Sequence, residues 1–349
     1  MIKVAVVGCG AWGKNLVRVF HELPDVNLVY CCDSDKATCK TMADIYPCTS
    51  VTSRFEDILL LDSIQAVVIS TPSPTHYALA KAALEAGKHV FVEKPLALRA
   101  DHAEELVALA EAANLKLMVG HLLLYHPVIV HLKRIINLGE WGETYYISSQ
   151  RLNLGTIRQD ENALWSLAPH DISVALHLLG GMPESVSARG GAYLQEGVED
   201  VVSVNIKWPD GRMAQIQVSW LAPEKVRKLT VVGSEQMTVF DDTKSGGKLT
   251  IIHKDGDVYI PNLDMTEPLR AECQHFVDCI AEDKQPLTDG ADGANVVKVL
   301  EAAQLSLGCD GMPTTVEAWE RRPSPMAIQG KPFTYDRIKI IDSDTGEAQ

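Results

Sequence analysis

The apolar positions of the chain fall into two textures. Over residues 2–120, short continuous apolar runs alternate with segments whose apolar residues recur at helical spacing. The runs are "IKVAVV", "VNLVYCC", "AVVIST", "HVFVE" and "KLMVG". The segments between them are "KNLVRVFHEL", "KATCKTMADIY", "HYALAKAALEAG" and "ADHAEELVALAEAANL". Strands alternating with helices predict a parallel sheet covered on both faces. Burial on both faces also explains why these runs lack strict polar alternation.

After residue 125 the texture changes. A helical segment, "PVIVHLKRIINLG", precedes strands of period 2: "TYYISSQRL", "SVSARGGAYL", "DVVSVNIKW", "MAQIQVSWL", "RKLTVVGS", "MTVFDD" and "KLTIIHK". "PDGR" at 209–212 joins two of them, and Asp-Gly is a hairpin signal. Two further helices are expected, in "PLRAECQHFVDCIAED" and at 293–308. The fold class is therefore α/β: an N-terminal doubly wound parallel sheet, then an α+β domain with a large, mostly antiparallel sheet. The expected division is 1–124, 125–310 and an irregular C-terminal arm, 311–349, lying on the surface or on a neighbouring subunit.

Length and charge narrow the class of function. At 349 residues the chain suits two domains rather than one core. Its formal net charge of −14 repels nucleic acid and anionic membranes, and no basic patch offsets it. No apolar run approaches the ~18–20 residues of a membrane span. The N-terminal "MIKVAVVGCG" enters a strand directly without a small-residue cleavage site, so a cytoplasmic protein is expected. The eight cysteines repeat no CxxC ligand pair, so no metal is expected. They read as small buried hydrophobes of a reducing compartment.

The first chemistry lies in "GCGAWG". Gly8, Gly10 and Gly13 have G-x-G-x-x-G spacing, with Ala11 and Trp12 between them. The pattern is weak alone, but here it follows a strand, opens a helix, and is trailed by Asp33 at the next strand's end. That context is the dinucleotide fingerprint. Gly8 permits the tight turn, Gly10 lets backbone approach a pyrophosphate, and Gly13 packs helix on strand. A carboxylate at Asp33 accepts ribose hydroxyls and repels a 2′-phosphate, so the expected cofactor is NAD.

"VVGCGAWG", "YCCDSD", "ISTPSPTHYALAKAALEAGKHVFVEKPLA" and "EPLRAECQHFVDCIAEDKQPLTDGADG" together resemble the Gfo/Idh/MocA oxidoreductases over residues 1 to about 310. The most specific element is Glu93-Lys94-Pro95. The resemblance implies that Lys94 reaches both the nicotinamide and the reacting hydroxyl, and that the Lys94–Pro95 bond is often cis. Ligands of open α/β sheets bind beyond the carboxyl ends of the strands, where Glu93 and Lys94 fall. There a positive charge stabilises an alkoxide-like oxygen. The same resemblance puts Thr71 and Pro72 under the nicotinamide ribose, with His76 opening the next helix.

In the second domain, "ENALWSLAPHDISVALHLLGG" matches the family's helix bearing the catalytic histidine, here His170. A histidine near neutral pKa accepts a hydroxyl proton as hydride leaves. Many members carry Asp four residues earlier; this chain has Ser166, which can hydrogen-bond a substrate hydroxyl but not share the proton work, and Asp171 follows His170 instead, so both are expected on the substrate side. Trp165 is expected beside the cofactor, and His177 in the core. "RLNLGTIRQDEN" adds Arg151, Asn153 and Arg158, which suit an anionic substrate. His121 and Tyr125 of "GHLLLYHP" align with a substrate-side element.

Within the family, the R-x-N-x-G-x-x-R and "LWSLAPHDIS" segments are most similar to nucleotide-sugar dehydrogenases that oxidise the 3-hydroxyl of UDP-N-acetylglucosaminuronate for lipopolysaccharide. An inositol or monosaccharide dehydrogenase is the alternative. A non-catalytic sugar- and dinucleotide-binding regulator is a third reading, supported only by Ser166. A homodimer or homotetramer is expected, because apolar strands such as "VSVNIKW" and "IQVSW" need covering.

Overall fold

In the computed structural model, residues 1–155 and 161–316 are described. The N-terminal sheet contains β1 (Ile2–Val7), β2 (Val26–Cys32), β3 (Ser50–Thr52), β4 (Ala66–Ile69), β5 (His89–Glu93) and β6 (Leu117–Gly120). Its spatial order is β3-β2-β1-β4-β5-β6, and every pair is parallel. The connecting helices are α1 (Gly13–Glu22), α2 (Lys36–Ile45), α3 (Phe55–Leu59), α4 (His76–Glu85) and α5 (Ala100–Ala112). Successive strand residues face opposite sides. Val4, Val6, Ala66 and Val68 enter one apolar cluster, whereas Ala5, Val7, Val67 and Ile69 enter the other. That is why the runs are apolar throughout.

A 3-10 turn, Leu122–Tyr125, leads into α6 (Pro127–Asn137) and the second sheet. Its strands are β7 (Thr144–Leu154), β8 (Ser185–Gly191), β9 (Val201–Lys207), β10 (Met213–Ser219), β11 (Leu221–Gly233), β12 (Gln236–Asp241), β13 (Leu249–His253), β14 (Val258–Tyr259) and β15 (Thr314–Thr315). The order is β14-β13-β12-β11-β7-β10-β9-β8-β15, antiparallel except where β7 meets β10. The Asp-Gly turn joins β9 to β10, with Trp208 N–H donating to Arg212 O at 2.9 Å and Gly211 at φ +89°. A positive φ there requires glycine.

Three helices complete the chain: α7 (Ala163–Leu179), α8 (Pro268–Ala281) and α9 (Gly290–Gly308). α7 packs on β7, β9 and β10, and α9 packs on β8. These contacts correct one expectation. The inward residues Val202, Val204, Ile206 and Ile216 are covered by the chain's own helices, and the alternate residues Ser203, Asn205, Lys207 and Gln215 face outward. The apolar strands therefore do not by themselves call for a partner sheet.

Two other features were not legible in sequence. α8 packs on α1, and α9 on α5 and β6, so the last two helices return to the nucleotide domain. And while most cysteines are enclosed, Cys48 and Cys309 are exposed, against the expectation that all are buried.

Candidate active site

The glycine loop after β1 shows three different constraints. Gly8 has φ +84°, and a Cβ there would lie 2.6 Å from Ser70 O. A Cβ on Gly13 would lie 1.8 Å from Gly8 O, so helix and loop can close only without a side chain. Gly10 has nothing within 4 Å of its ideal Cβ. That open space is where a dinucleotide's pyrophosphate approaches the backbone. α1 opens without a side-chain cap and without acid in its first turn, so its N–H groups and positive dipole end remain for phosphate. Asp33 is oriented by Cys9 N–H on Oδ2 at 2.8 Å and Asp35 N–H on Oδ1 at 2.9 Å. A carboxylate retains further lone pairs for ribose hydroxyls. The residues present fit NAD.

β5 ends in Glu93, whose carboxylate accepts from Trp12 Nε1 and from Lys94 N–H. Burial pushes the Glu93 carboxyl upward, offset by Trp12 and Lys94. A Cβ on Gly120 would sit 3.2 Å from that carboxylate, so any larger residue ending β6 would push Glu93 aside by a few tenths of an ångström. The following Lys94–Pro95 bond is cis. Lys94 leaves the nucleotide domain and its Nζ donates to Ser166 O in the first turn of α7 at 2.9 Å. Pro169 inside α7 lacks the N–H that would pair with Trp165 O, which loosens the ladder at this turn. Ser166 and His170 are four residues apart, hence on one face of α7. The Lys94 ammonium is thus held at the turn of α7 that leads to His170, and its charge acts on that imidazole.

α7 is held at both ends. Asn162 caps its N-terminus by accepting from Trp165 N–H, and Asn162 Nδ2 donates to Glu199 Oε2 and Gln304 Oε1. At the C-terminus Lys133 donates to His177 O, Arg212 to Leu179 O, and Trp208 Nε1 to Gly180 O. Cations there also oppose the helix dipole. His170 Nδ1 is enclosed without a hydrogen-bond partner among the described residues, which leaves Nε2 as the ring nitrogen able to meet a ligand. Burial, then the charges of Arg151, Lys94 and Arg227, hold His170 well below its ordinary value. It is therefore neutral at neutral pH, as a proton acceptor must be.

The structure rearranges several sequence expectations. Arg151 is committed to Asp171: Nε donates to Oδ2 at 2.6 Å and Nη2 to Oδ1 at 3.2 Å, and Ser149 Oγ donates to the same carboxylate. Neither Arg151 nor Asp171 thus stands free for substrate. Asn153 supports Arg227, a residue that sequence reasoning missed. Arg158 lies outside the described residues, as does the arm beyond residue 316. His76 was expected to contact cofactor, but it is enclosed, its ring nitrogens 2.7 Å from Pro95 O and 2.8 Å from Thr71 O. It ties the two cofactor-side loops together. Pro72 adjoins that loop, and Thr71 Oγ1 bonds Thr75 Oγ1.

On the expected substrate side, His121 is enclosed, and burial with Lys94 lowers it to about 3. Tyr125 is also enclosed, its hydroxyl 3.2 Å from Thr288 Oγ1. Neither is exposed for a substrate to reach. Trp165 packs against both apolar clusters and donates through Nε1 to Gln304 at 3.2 Å. His177 is half-buried and lowered to about 4 by burial and Lys133. No group of acids, cysteines and histidines suited to a metal ion occurs among the described residues. No helix among them is long and apolar enough to cross a membrane.

Comparison with known proteins agrees with the fold. Residues 2–121 match the oxidoreductase family model with an NAD-binding Rossmann fold, and 129–239 match the GFO/IDH/MocA C-terminal domain. UDP-N-acetylglucosamine 3-dehydrogenase of Acidithiobacillus ferrooxidans is 28% identical over 306 residues, 85% of this chain and 94% of that protein. scyllo-Inositol 2-dehydrogenase (NAD(+)) of Bacillus subtilis is 27% identical over 336 residues, 90% and 96% of the two. A solved structure of UDP-N-acetylglucosamine 3-dehydrogenase from Acidithiobacillus ferrooxidans shares the fold, with TM-score 0.81, 24% identity, and coverage of 88% of this chain and 98% of that one. The chain belongs to the Gfo/Idh/MocA oxidoreductase family, and NAD is its cofactor.

Proposed function

We propose that this member of the Gfo/Idh/MocA oxidoreductases oxidises a ring hydroxyl, the 3-OH, of an anionic nucleotide-activated sugar such as UDP-N-acetylglucosaminuronate, for surface polysaccharide biosynthesis. The observation that carries this reading is Lys94 Nζ reaching Ser166 on α7, one turn before His170. Substrate lies between the domains. Lys94 donates to the reacting oxygen and holds positive charge where negative charge develops, in a site largely screened from water. His170 Nε2 accepts the hydroxyl proton; with Ser166 in place of a carboxylate, no acid on that turn shares the work. Bound NAD supplies the hydride acceptor. Similarity to the Acidithiobacillus 3-dehydrogenase supports a nucleotide-linked sugar, and Arg227, in the cleft that Asp171 of α7 also lines, supports an anionic one.

The similarity to scyllo-inositol 2-dehydrogenase favours a second reading, a neutral polyol as substrate. The test is NADH formation with UDP-N-acetylglucosaminuronate, UDP-N-acetylglucosamine and scyllo-inositol in parallel. Turnover of the first at higher kcat/KM is expected. Faster oxidation of the inositol overturns the nucleotide-sugar reading.

A further inference from the structure

β7 and β11 run antiparallel, and their register sets Arg151 directly opposite Arg227. Like charges opposite one another across an antiparallel pair repel. Asp171 lies beside both, but its oxygens are taken by Arg151 and Ser149. Asp242, the other acid lining the same cleft, pairs with Lys248 at 2.6 Å. Among the described residues, no carboxylate comes within ion-pair distance of Arg227. Asp171 and Asp242 act on Arg227 only at longer range, so no acid of the cleft occupies its guanidinium.

The hydrogen bonds of Arg227 show which part of it remains. Nη1 donates to Leu152 O and Val226 O, each at 3.0 Å, and Nη2 donates to Asn153 Oδ1. The donors left are Nε–H and one N–H of Nη2, a set that can meet a carboxylate. Arg151 uses the same two nitrogens on Asp171. Asn153 and the two carbonyls fix the plane of Arg227, so a ligand need not order it.

We infer that Arg227 is a specificity-determining residue whose remaining donors take a carboxylate borne on the substrate ring, beside the alcohol that meets Lys94 and His170. Asp171, which lines the same cleft as Arg227, directly follows His170 on α7, and the charge of Arg227 acts on that imidazole, so a carboxylate on the reacting ring fits better than one on a distant linker. The inference rests on the dehydrogenase reading and deepens it: the preferred sugar is a uronate, and its carboxylate relieves the Arg151–Arg227 repulsion.

The test is calorimetric binding to the NAD-saturated protein. The ligands are UDP-N-acetylglucosaminuronate, UDP-N-acetylglucosamine, and the free sugars N-acetylglucosaminuronate and N-acetylglucosamine. The wild type is expected to favour each acid over its neutral counterpart by roughly 10- to 100-fold, the size of a charge-assisted contact. Arg227→Gln should erase that preference, and Arg227→Lys should keep part of it, since an ammonium offers charge without the fork. Equal binding of acid and neutral sugar by the wild type overturns the subsite, as does Arg227→Gln weakening both alike; a nucleotide-sugar substrate then still stands. An Arg227-dependent preference among free sugars only, without binding of the UDP-linked pair, upholds the subsite and removes the nucleotide. Binding of none of the four overturns both.

Discussion

Asp171→Asn removes one negative charge from between two opposed arginines while keeping the side chain's shape. In the wild type, Arg151 and Asp171 are 13% and 6% exposed and share two hydrogen bonds. Solvent screening is therefore slight. Two unit charges about 4 Å apart at an effective dielectric of about 20 interact by ~4 kcal/mol. Breaking one side of a buried pair costs ~3–5 kcal/mol, because the survivor keeps its desolvation without its partner. Here the loss is compounded, since Arg151 then faces Arg227 with no acid between them. At ~2–4 °C per kcal/mol for domains of this size, the melting temperature should fall by on the order of 10 °C. The assay is differential scanning calorimetry with and without sulfate. Sulfate should restore several degrees to Asp171→Asn and stabilise the wild type less, because the variant leaves two guanidinium groups without an acid and the wild type one. The double variant Arg151→Met, Asp171→Leu should lie near the wild type, since removing both members of a buried pair is often neutral. A melting shift below ~2 °C for Asp171→Asn, or a double variant as unstable as the single, refutes the pairing argument.

Four further outcomes are expected. Gly10→Ala should melt with the wild type, because its Cβ has open space, yet bind NADH at least ~10-fold more weakly by fluorescence, because that space is the pyrophosphate's; Gly13→Ala should lose folded yield, its Cβ meeting Gly8 O at 1.8 Å. Lys94→Met should keep NADH affinity while kcat falls by ~10²–10³-fold, the usual loss of one preorganised donor; kcat within ~3-fold of wild type removes Lys94 from the chemistry. The acid limb of kcat/KM should lie below the ordinary histidine value, because burial and then Arg151, Lys94 and Arg227 disfavour protonated His170; Arg227→Gln should move that limb upward, and an unmoved limb assigns it to another group. Glu301 is enclosed and raised from 4.5 to about 7. Its folded form thus binds a proton the unfolded chain has released, so its stabilising contribution is complete below 4.5 and is lost as pH rises to about 7. Glu301→Gln should flatten that decline, worth on the order of 2–3 kcal/mol, in melting measured across this window.

Much of the site was legible because its signals are local. A glycine needed for a positive φ, a proline after a strand end and an acid closing the next strand leave their marks within a few residues. Gly8, Lys94 and Asp33 could therefore be placed from spacing and motif. The same holds for the helix carrying His170, whose register sets Ser166 one turn away. What could not be read was which polar side chains would satisfy one another. Arg151 looked like a substrate ligand because Asp171, twenty residues on, gives no local sign of facing it. His76 looked like a cofactor contact because Thr71 O and Pro95 O converge on it only after two loops fold. Arg227 went unnoticed because a lone basic residue in a strand is ordinary until the register sets it against another arginine. Asn162 and Gln304, which fix the start of α7, are 142 positions apart.

The amino-acid sequence by itself determined the two textures of the chain, the dinucleotide loop, the acid that selects NAD and the pair of residues offered for chemistry. Each follows from backbone preference or from side-chain periodicity, which act over one or two turns. Tertiary structure alone decided that the C-terminal helices return to the nucleotide domain, that Lys94 reaches α7 across the domain junction, and that one of two opposed arginines is neutralised. Those outcomes depend on how charges taken out of water are matched in space, and the Coulomb energy of a pair depends on its separation in space, whatever the number of residues between its members.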